Sequence, residues 1–252
     1  MIPLYDDNPV RRISRPWINW TLIAINVVVY FLFQSDFAPN TVLADAGTVT
    51  WSYGMIPIVL FQQATLPQGL AIIPEWLTPL TSTFLHGSWM HLAGNMLFLW
   101  VFGDNIEDDL GHLRYLFFYA ACGVLAALAH AIANPTSESP LIGASGAVSG
   151  VVAAYVLLHP RVTLWVLLLF RIPVPLPAWM AIGGWILFQG FNAWRATSAS
   201  DVAWFAHLGG LAAGTLLVLV LRQPGVPLFD QRRHSDPDVD AASQPPPETL
   251  PR

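Results

Sequence analysis

The sequence predicts an all-α, polytopic membrane protein: a bundle of six transmembrane helices with both termini in the cytoplasm. First, the 252-residue chain is 54% hydrophobic and only 11% charged, whereas soluble domains carry about 25% charged residues. Second, it contains six apolar segments, each close to the length of about 20 residues that crosses a bilayer. Third, it has no lysine, and its arginines fall almost entirely between alternate apolar segments.

The elements follow in order along the chain. A polar cytoplasmic segment, residues 1–16, precedes a six-helix membrane domain at residues 17–222 and a tail at residues 223–252. The tail contains seven prolines and many polar residues, a composition typical of disorder. The six predicted spans cover residues 17–33, 84–102, 113–133, 143–160, 178–194 and 202–221.

Three connections between the spans have distinctive compositions. Residues 35–83 lack arginine and contain apolar pieces too short to cross, which predicts a loop lying partly in the membrane interface. Residues 103–111 are rich in Asp and Glu and predict a cytoplasmic loop. Residues 162–170 are apolar but only about nine residues long, and prolines at 173, 175 and 177 close them, so we expect an interfacial segment.

Arginine distribution predicts the orientation. Ten arginines lie in the N-terminal segment, in the loops after the second and fourth spans, and in the tail, whereas Arg195 alone lies on the other side. Cytoplasmic loops carry the excess of basic residues, so both termini are predicted to be cytoplasmic. The second, fourth and sixth spans then all run inward from the outer face.

Two polar residues lie within a few positions of the outer ends of inward-running spans. They are Ser145 in the fourth span and His207 in the sixth, and a rise of 1.5 Å per residue puts both roughly 5–10 Å below the surface. A serine hydroxyl is a weak nucleophile until a neighbouring base takes its proton. The two residues therefore predict a Ser145–His207 dyad.

Small residues would let these two spans approach closely. Gly210 and Gly214 share a helical face with His207, and Gly146 follows Ser145. Packing alone explains such a serine in many membrane helices, but an ionisable residue inside a membrane is a functional candidate by default. Asp201, six residues before His207, lies on a different face, so no third member is predicted.

The second span adds further polar side chains at a similar depth. His91 and Asn95 are four residues apart and share one helical face, where they could donate hydrogen bonds to an oxyanion together with the Ser145 backbone N–H. His86 lies five residues before His91 and would point elsewhere on a helix. Glu107 is interpreted as a structural loop residue that binds backbone N–H groups.

The combined motifs resemble the rhomboid family of intramembrane serine proteases. They are Gly143-Ala144-Ser145-Gly146, His207 with Gly210 and Gly214, His86 with His91 and Asn95, and Glu107 with Leu110-Gly111. The resemblance implies a Ser145–His207 dyad, an oxyanion site with His91 and Asn95, and a movable fifth helix.

The resemblance also implies cleavage of membrane-protein substrates near the outer ends of their transmembrane helices. The expected partners are such substrates and membrane lipids, with no cofactor, no metal and no nucleic acid. The family often has an aromatic residue beneath the histidine where this chain has Ser149, which leaves open how the imidazole is held. The absence of a targeting extension and the all-arginine basic set favour a bacterial inner membrane.

Other functions fit the residues less well. A pseudoprotease of the same fold, which would bind membrane helices without cutting them, is disfavoured because both dyad residues are present. A transporter would need a matching set of polar residues in the inner half of the spans, and none is predicted there; His130 and His159 are stray exceptions, interpreted as helix-end residues. A metalloprotease lacks an H-E-x-x-H motif, and an aspartate-type protease would need carboxylates from two spans.

Overall fold

The computed structural model describes residues 2–35, 46–168, 171–195 and 203–230. The helices are α1 Trp17–Phe33, α2 Ala46–Tyr53, α3 Pro57–Leu60, α4 Thr78–Thr81, α5 Trp89–Leu110, α6 His112–Ala133, α7 Ser145–Leu158, α8 Ala178–Arg195 and α9 Trp204–Leu221, with 3-10 turns at Glu75–Leu77 and Ser82–Phe84. The strands are β1 Ile2–Asp6, β2 Thr163–Leu168 and β3 Ile172–Pro177. Asp201 and most of the predicted tail lie outside the described residues.

Each predicted span coincides with one of the longer helices, namely α1 and α5 to α9. Length and apolarity together qualify two helices in the described ranges to cross a bilayer, α6 and α9, while α1 and α7 are apolar but shorter. The fold is therefore mainly helical, as predicted, and its most clearly apolar elements are α6 and α9.

The prediction of a loop over residues 103–111 is wrong, because α5 continues through Leu110. It begins five residues later than predicted, at Trp89, where the Ser88 side chain accepts a hydrogen bond from the His91 backbone N–H at 3.2 Å. It ends at Gly111, whose φ of +81° is available to glycine at little cost. The acidic residues that suggested a loop thus lie in the last turns of a helix.

Those carboxylates are buried because backbone N–H groups from the N-terminal segment satisfy them. Glu107 is 0% exposed and accepts from the N–H groups of Ile18 at 3.0 Å and Asn19 at 2.7 Å. These N–H groups lie in the first turn of α1 and have no partner within that helix. Asp108 accepts from the backbone N–H groups of Arg11 and Ile13 at 3.0 and 2.7 Å. The end of α5 therefore fixes the start of α1.

A small sheet corrects the all-α prediction. Strands β1, β2 and β3 form an antiparallel sheet in that order, and β2 is the segment predicted to be interfacial. Prolines 173, 175 and 177 suggested a break, but they occupy every second position of β3. Within the described sheet β3 is an edge strand, where alternate N–H groups have no strand to bind and proline is tolerated.

Helix α7 occupies the centre of the core and contacts α9 backbone to backbone. A Cβ on Gly210 would lie 2.0 Å from the Gly146 carbonyl oxygen, and one on Gly214 would lie 2.2 Å from that of Gly150. Only glycine permits this separation. The contact determines how far apart the helices carrying Ser145 and His207 can be.

Strand β1 places a carboxyl group against the C-terminal halves of α5 and α7. Asp6 Oδ2 accepts a hydrogen bond from the Tyr155 hydroxyl and another from Asn105 Nδ2 at 3.1 Å. Burial raises the pKa of this carboxyl from 3.8 to about 7, although the Tyr155 hydrogen bond acts in the opposite direction. The folded state therefore binds a proton at Asp6 that the unfolded chain releases at much lower pH.

We expect Gly214→Ala to lower the thermal midpoint of the detergent-solubilised protein, because its methyl group would overlap the α7 backbone, and overpacking costs typically 1–3 kcal/mol. Gly183→Ala in α8 is the matched control, since its Cβ would meet no atom within 4 Å. That control keeps only the helix-propensity gain of about 1 kcal/mol. Equal midpoints for the two variants would contradict the backbone contact.

The raised pKa of Asp6 predicts a pH-dependent stability. The carboxyl contributes stability that is fully present below pH 3.8 and is lost as pH rises through about 7. Asp6→Asn keeps an acceptor oxygen and cannot ionise. We therefore expect the thermal midpoint of Asp6→Asn minus that of the wild type to increase between pH 5 and pH 8. Parallel curves over this range would show that Asp6 ionises in the folded protein as it does in water.

Candidate active site

Ser145 is the first residue of α7, and the chain reaches it through a turn that requires glycine. Gly143 has a φ of +128°, and its N–H donates to the Ser82 carbonyl oxygen at 2.9 Å. A Cβ at this glycine would lie 2.7 Å from Cε1 of His91, so no larger residue fits. Because α7 starts at Ser145, the Ser145 N–H is among the first-turn donors that have no acceptor within the helix.

His207 lies in the first turn of α9, and its imidazole reaches Ser145. The distance from His207 Nε2 to Ser145 Oγ is 2.9 Å, a normal hydrogen-bond length. The structure therefore brings the two predicted dyad residues together. A hydroxyl that donates to an unprotonated Nε2 can pass its proton to the ring.

The imidazole of His207 is held from α8 and from its own helix. The Gln189 side-chain nitrogen Nε2 lies 3.0 Å from Nδ1, and the Trp204 ring makes an edge-on contact at 6.0 Å between centroids. Ser149, which occupies the position of the family's aromatic residue, donates instead to the Ser145 carbonyl oxygen at 2.7 Å. The ring is thus supported from α8 and α9, and not from beneath by α7.

Gln189 was not predicted as a site residue. Only two side-chain amides occur in the fifth predicted span, Gln189 and Asn192, and that scarcity was the one available indication. Gln189 is 2% exposed, whereas the Asn192 side chain bonds the Phe188 carbonyl oxygen of its own helix. Which of the two faces His207 depends on how α8 packs, and the sequence does not specify that.

The structure places His91, Asn95 and His86 together, which corrects the expectation for His86. Residues 86–88 precede α5 in non-helical backbone, so His86 does not follow the helical spacing. Its Nε2 lies 3.0 Å from Asn95 Nδ2, and its ring meets that of His91 edge-on at 5.1 Å. His86 is fully buried and occupies one of the two hydrogens of the Asn95 amide. The other hydrogen remains for a further acceptor.

A cavity of about 970 Å³ joins these side chains. It contains Ser145, His207, His91, Asn95 and Gln189. Its remaining polar lining comes from Ser149, from the end of α6 and from the segment that follows α6, at His130, Asn134, Ser137 and Ser139. His130 lies in the last turn of α6, as expected. It also lines the cavity. Among the described lining residues none carries a carboxylate or a guanidinium group.

A second set of buried polar groups lies at the opposite end of the helices. His159 Nε2 is 2.6 Å from Asp109 Oδ2, and Asn105, Glu107 and Asp108 are also buried there. The expectation that the inner half carries only stray polar residues is therefore wrong. These groups are paired with one another or with backbone N–H groups, so they form a packed structural cluster.

The expectation that His86 and His91 point apart is also wrong, because their rings are in contact. Within residues 2–35, 46–168, 171–195 and 203–230, however, no three His, Cys, Asp or Glu side chains are arranged so that they could hold a metal ion.

Comparison with known proteins identifies the family. The Rhomboid domain matches residues 73–224, a range that includes the serine, the histidine and both oxyanion candidates. The chain therefore belongs to the rhomboid family, as the sequence motifs predicted.

Several curated relatives support this assignment. Rhomboid protein 1, mitochondrial, of Saccharomyces cerevisiae is 30% identical over 205 residues, covering 78% of this chain and 51% of the relative. Rhomboid-like protein 11, chloroplastic, of Arabidopsis thaliana is 34% identical over 59% of this chain and 53% of its own length. Rhomboid protease GluP of Bacillus subtilis is 27% identical over 87% of this chain and 38% of its own length.

The chain spans about half the length of the curated relatives it matches first. Two of the three relatives described are named for organelles and one comes from a bacterium. Rhomboid proteins are integral membrane proteins, but these relatives do not support the predicted bacterial inner membrane.

The geometry predicts selective reactivity of one serine. We expect a fluorophosphonate probe to modify Ser145, because its hydroxyl lies in the cavity next to an imidazole, and to leave Ser149 unmodified, because that hydroxyl bonds its own helix. Mass spectrometry of peptides from the labelled protein would locate the adduct. Heat-denatured protein is the control and should not react. An adduct spread over several serines would contradict the pairing.

Proposed function

We propose that this chain is an intramembrane serine endopeptidase that hydrolyses peptide bonds in or near the transmembrane helices of membrane proteins. The observation that carries the proposal is the 2.9 Å separation of Ser145 Oγ and His207 Nε2 inside a shared polar cavity. The name of one relative, Rhomboid protease GluP, gives additional support.

The proposed reaction begins with proton transfer from Ser145 Oγ to His207 Nε2. The oxygen then bonds to the carbonyl carbon of the substrate peptide, and His207 returns the proton to the departing amine nitrogen as the C–N bond breaks. A water molecule attacks the resulting ester by the same route and releases the acid. The chemistry requires no cofactor and no metal.

An oxyanion forms on the substrate carbonyl oxygen in each tetrahedral intermediate. We assign its stabilisation to the Ser145 N–H, the His91 imidazole and the free hydrogen of the Asn95 amide. His91 lies over Gly143, two residues before the nucleophile, and Asn95 is kept in place by His86. Each donor of this kind contributes on the order of 2.7–4 kcal/mol to transition-state stabilisation.

We propose that α1 and α5 to α9 are the six membrane spans and that both termini are cytoplasmic. Support comes from the arginines, ten of which fall on one side in this arrangement, and from the apolar character of α6 and α9. The catalytic cavity would then open toward the opposite, outer side, within residues 17–222. Its polar rim would let water reach the site, since polar groups at membrane depth are tolerated where they line a hydrated cavity.

The expected partners are transmembrane-helix substrates and membrane lipids. The alternative function is that of a rhomboid-fold pseudoprotease, which binds such helices without cleavage. A cleavage assay distinguishes the two functions. We expect wild-type protein reconstituted in liposomes to cleave a model transmembrane substrate. Ser145→Ala and His207→Ala should reduce kcat by at least about 1,000-fold, because a nucleophile and its base act as one unit.

Ser52→Ala is the control, because that hydroxyl is buried away from the cavity. Substrate binding without cleavage by the folded wild type would favour the pseudoprotease. Cleavage that survives Ser145→Ala would exclude the dyad.

A further inference from the structure

Gln189 combines three properties that the proposed dyad leaves unexplained. It is 2% exposed, it lies on the mainly apolar helix α8, and its amide is 3.0 Å from Nδ1 of His207. Burial of an amide without a hydrogen bond costs about 1–3 kcal/mol. The imidazole is the polar partner that makes this burial tolerable.

The direction of that hydrogen bond decides whether His207 can act as a base. A neutral imidazole carries one proton, on either Nδ1 or Nε2. If Gln189 donated an N–H to Nδ1, the ring proton would sit on Nε2 and face Ser145, so the ring could not accept the serine proton. If Gln189 instead presents Oε1, Nδ1–H donates to it and Nε2 is free. The structure has Nε2 at this position, but the oxygen and nitrogen ends of an amide have nearly the same shape, so Oε1 fits the same space when the amide is turned over.

We propose that Gln189 is a positioning residue that accepts the Nδ1–H of His207 through Oε1 and so holds Nε2 unprotonated toward Ser145. The inference rests on the proposed function, since it assigns the base its tautomer. In this role a neutral amide does what a carboxylate does in three-residue serine hydrolase sites, where it fixes the tautomer and orientation of the imidazole.

The Gln189 side chain lies within hydrogen-bond distance of Nδ1. The other groups that face His207 are Ser145 from α7, Trp204 from α9, His91 from α5 and His130 from α6. Ser145 is already bound to Nε2, and the Trp204 indole N–H is a donor only. The Gln189 side chain therefore faces the Nδ1 edge of the imidazole ring.

The helix that carries Gln189 has few buried residues. Helix α8 meets α5 through the rings of Trp185 and Phe98, 5.9 Å apart, and exposes much of its remaining apolar surface. Any displacement of α8 away from α9 would break the contact between Gln189 and His207. The base is thus held in its competent tautomer only while α8 is docked.

Two nearly isosteric variants separate positioning from packing. Gln189→Met keeps the volume but removes the hydrogen bond, and should lower kcat about 10-fold with little change in KM, the size expected for loss of one such bond. In Gln189→Glu the ionised carboxylate has no hydrogen to donate and can only accept the Nδ1–H hydrogen bond. This variant should therefore retain most of the activity. Its negative charge would stabilise the imidazolium, so the acid limb of the kcat/KM profile should move to higher pH by about one unit or more.

Asn192→Asp is the matched control, because it places the same charge on α8, three residues away, where the side chain bonds its own helix. Its pH profile should coincide with that of the wild type. His91 and His130 are unchanged in every variant, so their titration cancels from the comparison.

The outcomes separate the inference from the proposed function. Equal losses of kcat in Gln189→Met and Gln189→Glu, with the acid limb of the kcat/KM profile unchanged from the wild type, would indicate a packing role alone and overturn the inference. Wild-type kinetics in both variants would also overturn it. Should Gln189→Glu not fold, folded Gln189→Met decides: slower fluorophosphonate labelling of Ser145 with unchanged KM upholds the inference, and an unchanged rate overturns it. Failure of the wild type itself to cleave would instead overturn the proposed function.

Discussion

The backbone contact between α7 and α9 holds together the two helices that carry Ser145 and His207. Two glycine pairs, Gly146 with Gly210 and Gly150 with Gly214, bring the helices so close that a single methyl group on α9 would overlap a carbonyl oxygen of α7. In an apolar environment helices gain little from hydrophobic burial against each other, and close packing supplies much of the association free energy. The same closeness lets a short serine side chain reach a histidine on the neighbouring helix.

Polar groups at both ends of this helix pair are satisfied in different ways. At one end, carboxylates at the end of α5 accept hydrogen bonds from backbone N–H groups of the N-terminal segment and α1. Burial without such partners would cost several kcal/mol per charge, so these contacts fix the start of the chain to the core. At the opposite end the polar side chains surround a cavity and retain bonding capacity, as in the second hydrogen of the Asn95 amide. One end is closed by hydrogen bonds, and the other is open for a ligand.

The site itself needs contributions from four elements of the chain. Helix α7 supplies the hydroxyl, α9 the imidazole, α5 the candidate oxyanion donors and α8 the amide of Gln189. The first three are packed by small residues or by buried hydrogen bonds. Helix α8 exposes more of its apolar surface. The proposed base is therefore aligned by the least enclosed of the four elements, which relates catalytic competence to the position of that helix.

The six long helices, the pairing of serine with histidine and the family could be predicted from the amino-acid sequence, because apolar length, arginine distribution and glycine spacing are local patterns with direct physical meaning. Features that depend on contacts between distant segments became visible only in the folded chain. The acidic residues that were predicted to form a loop are helical, because backbone N–H groups of the N-terminal segment donate hydrogen bonds to their carboxylates. The prolines that suggested a break lie in an edge strand, where the absence of their N–H groups leaves no neighbouring strand without a hydrogen-bond donor. His86 joins Asn95 because it precedes the helix, and Gln189 reaches His207 only through the packing of α8, which no spacing within one helix can specify.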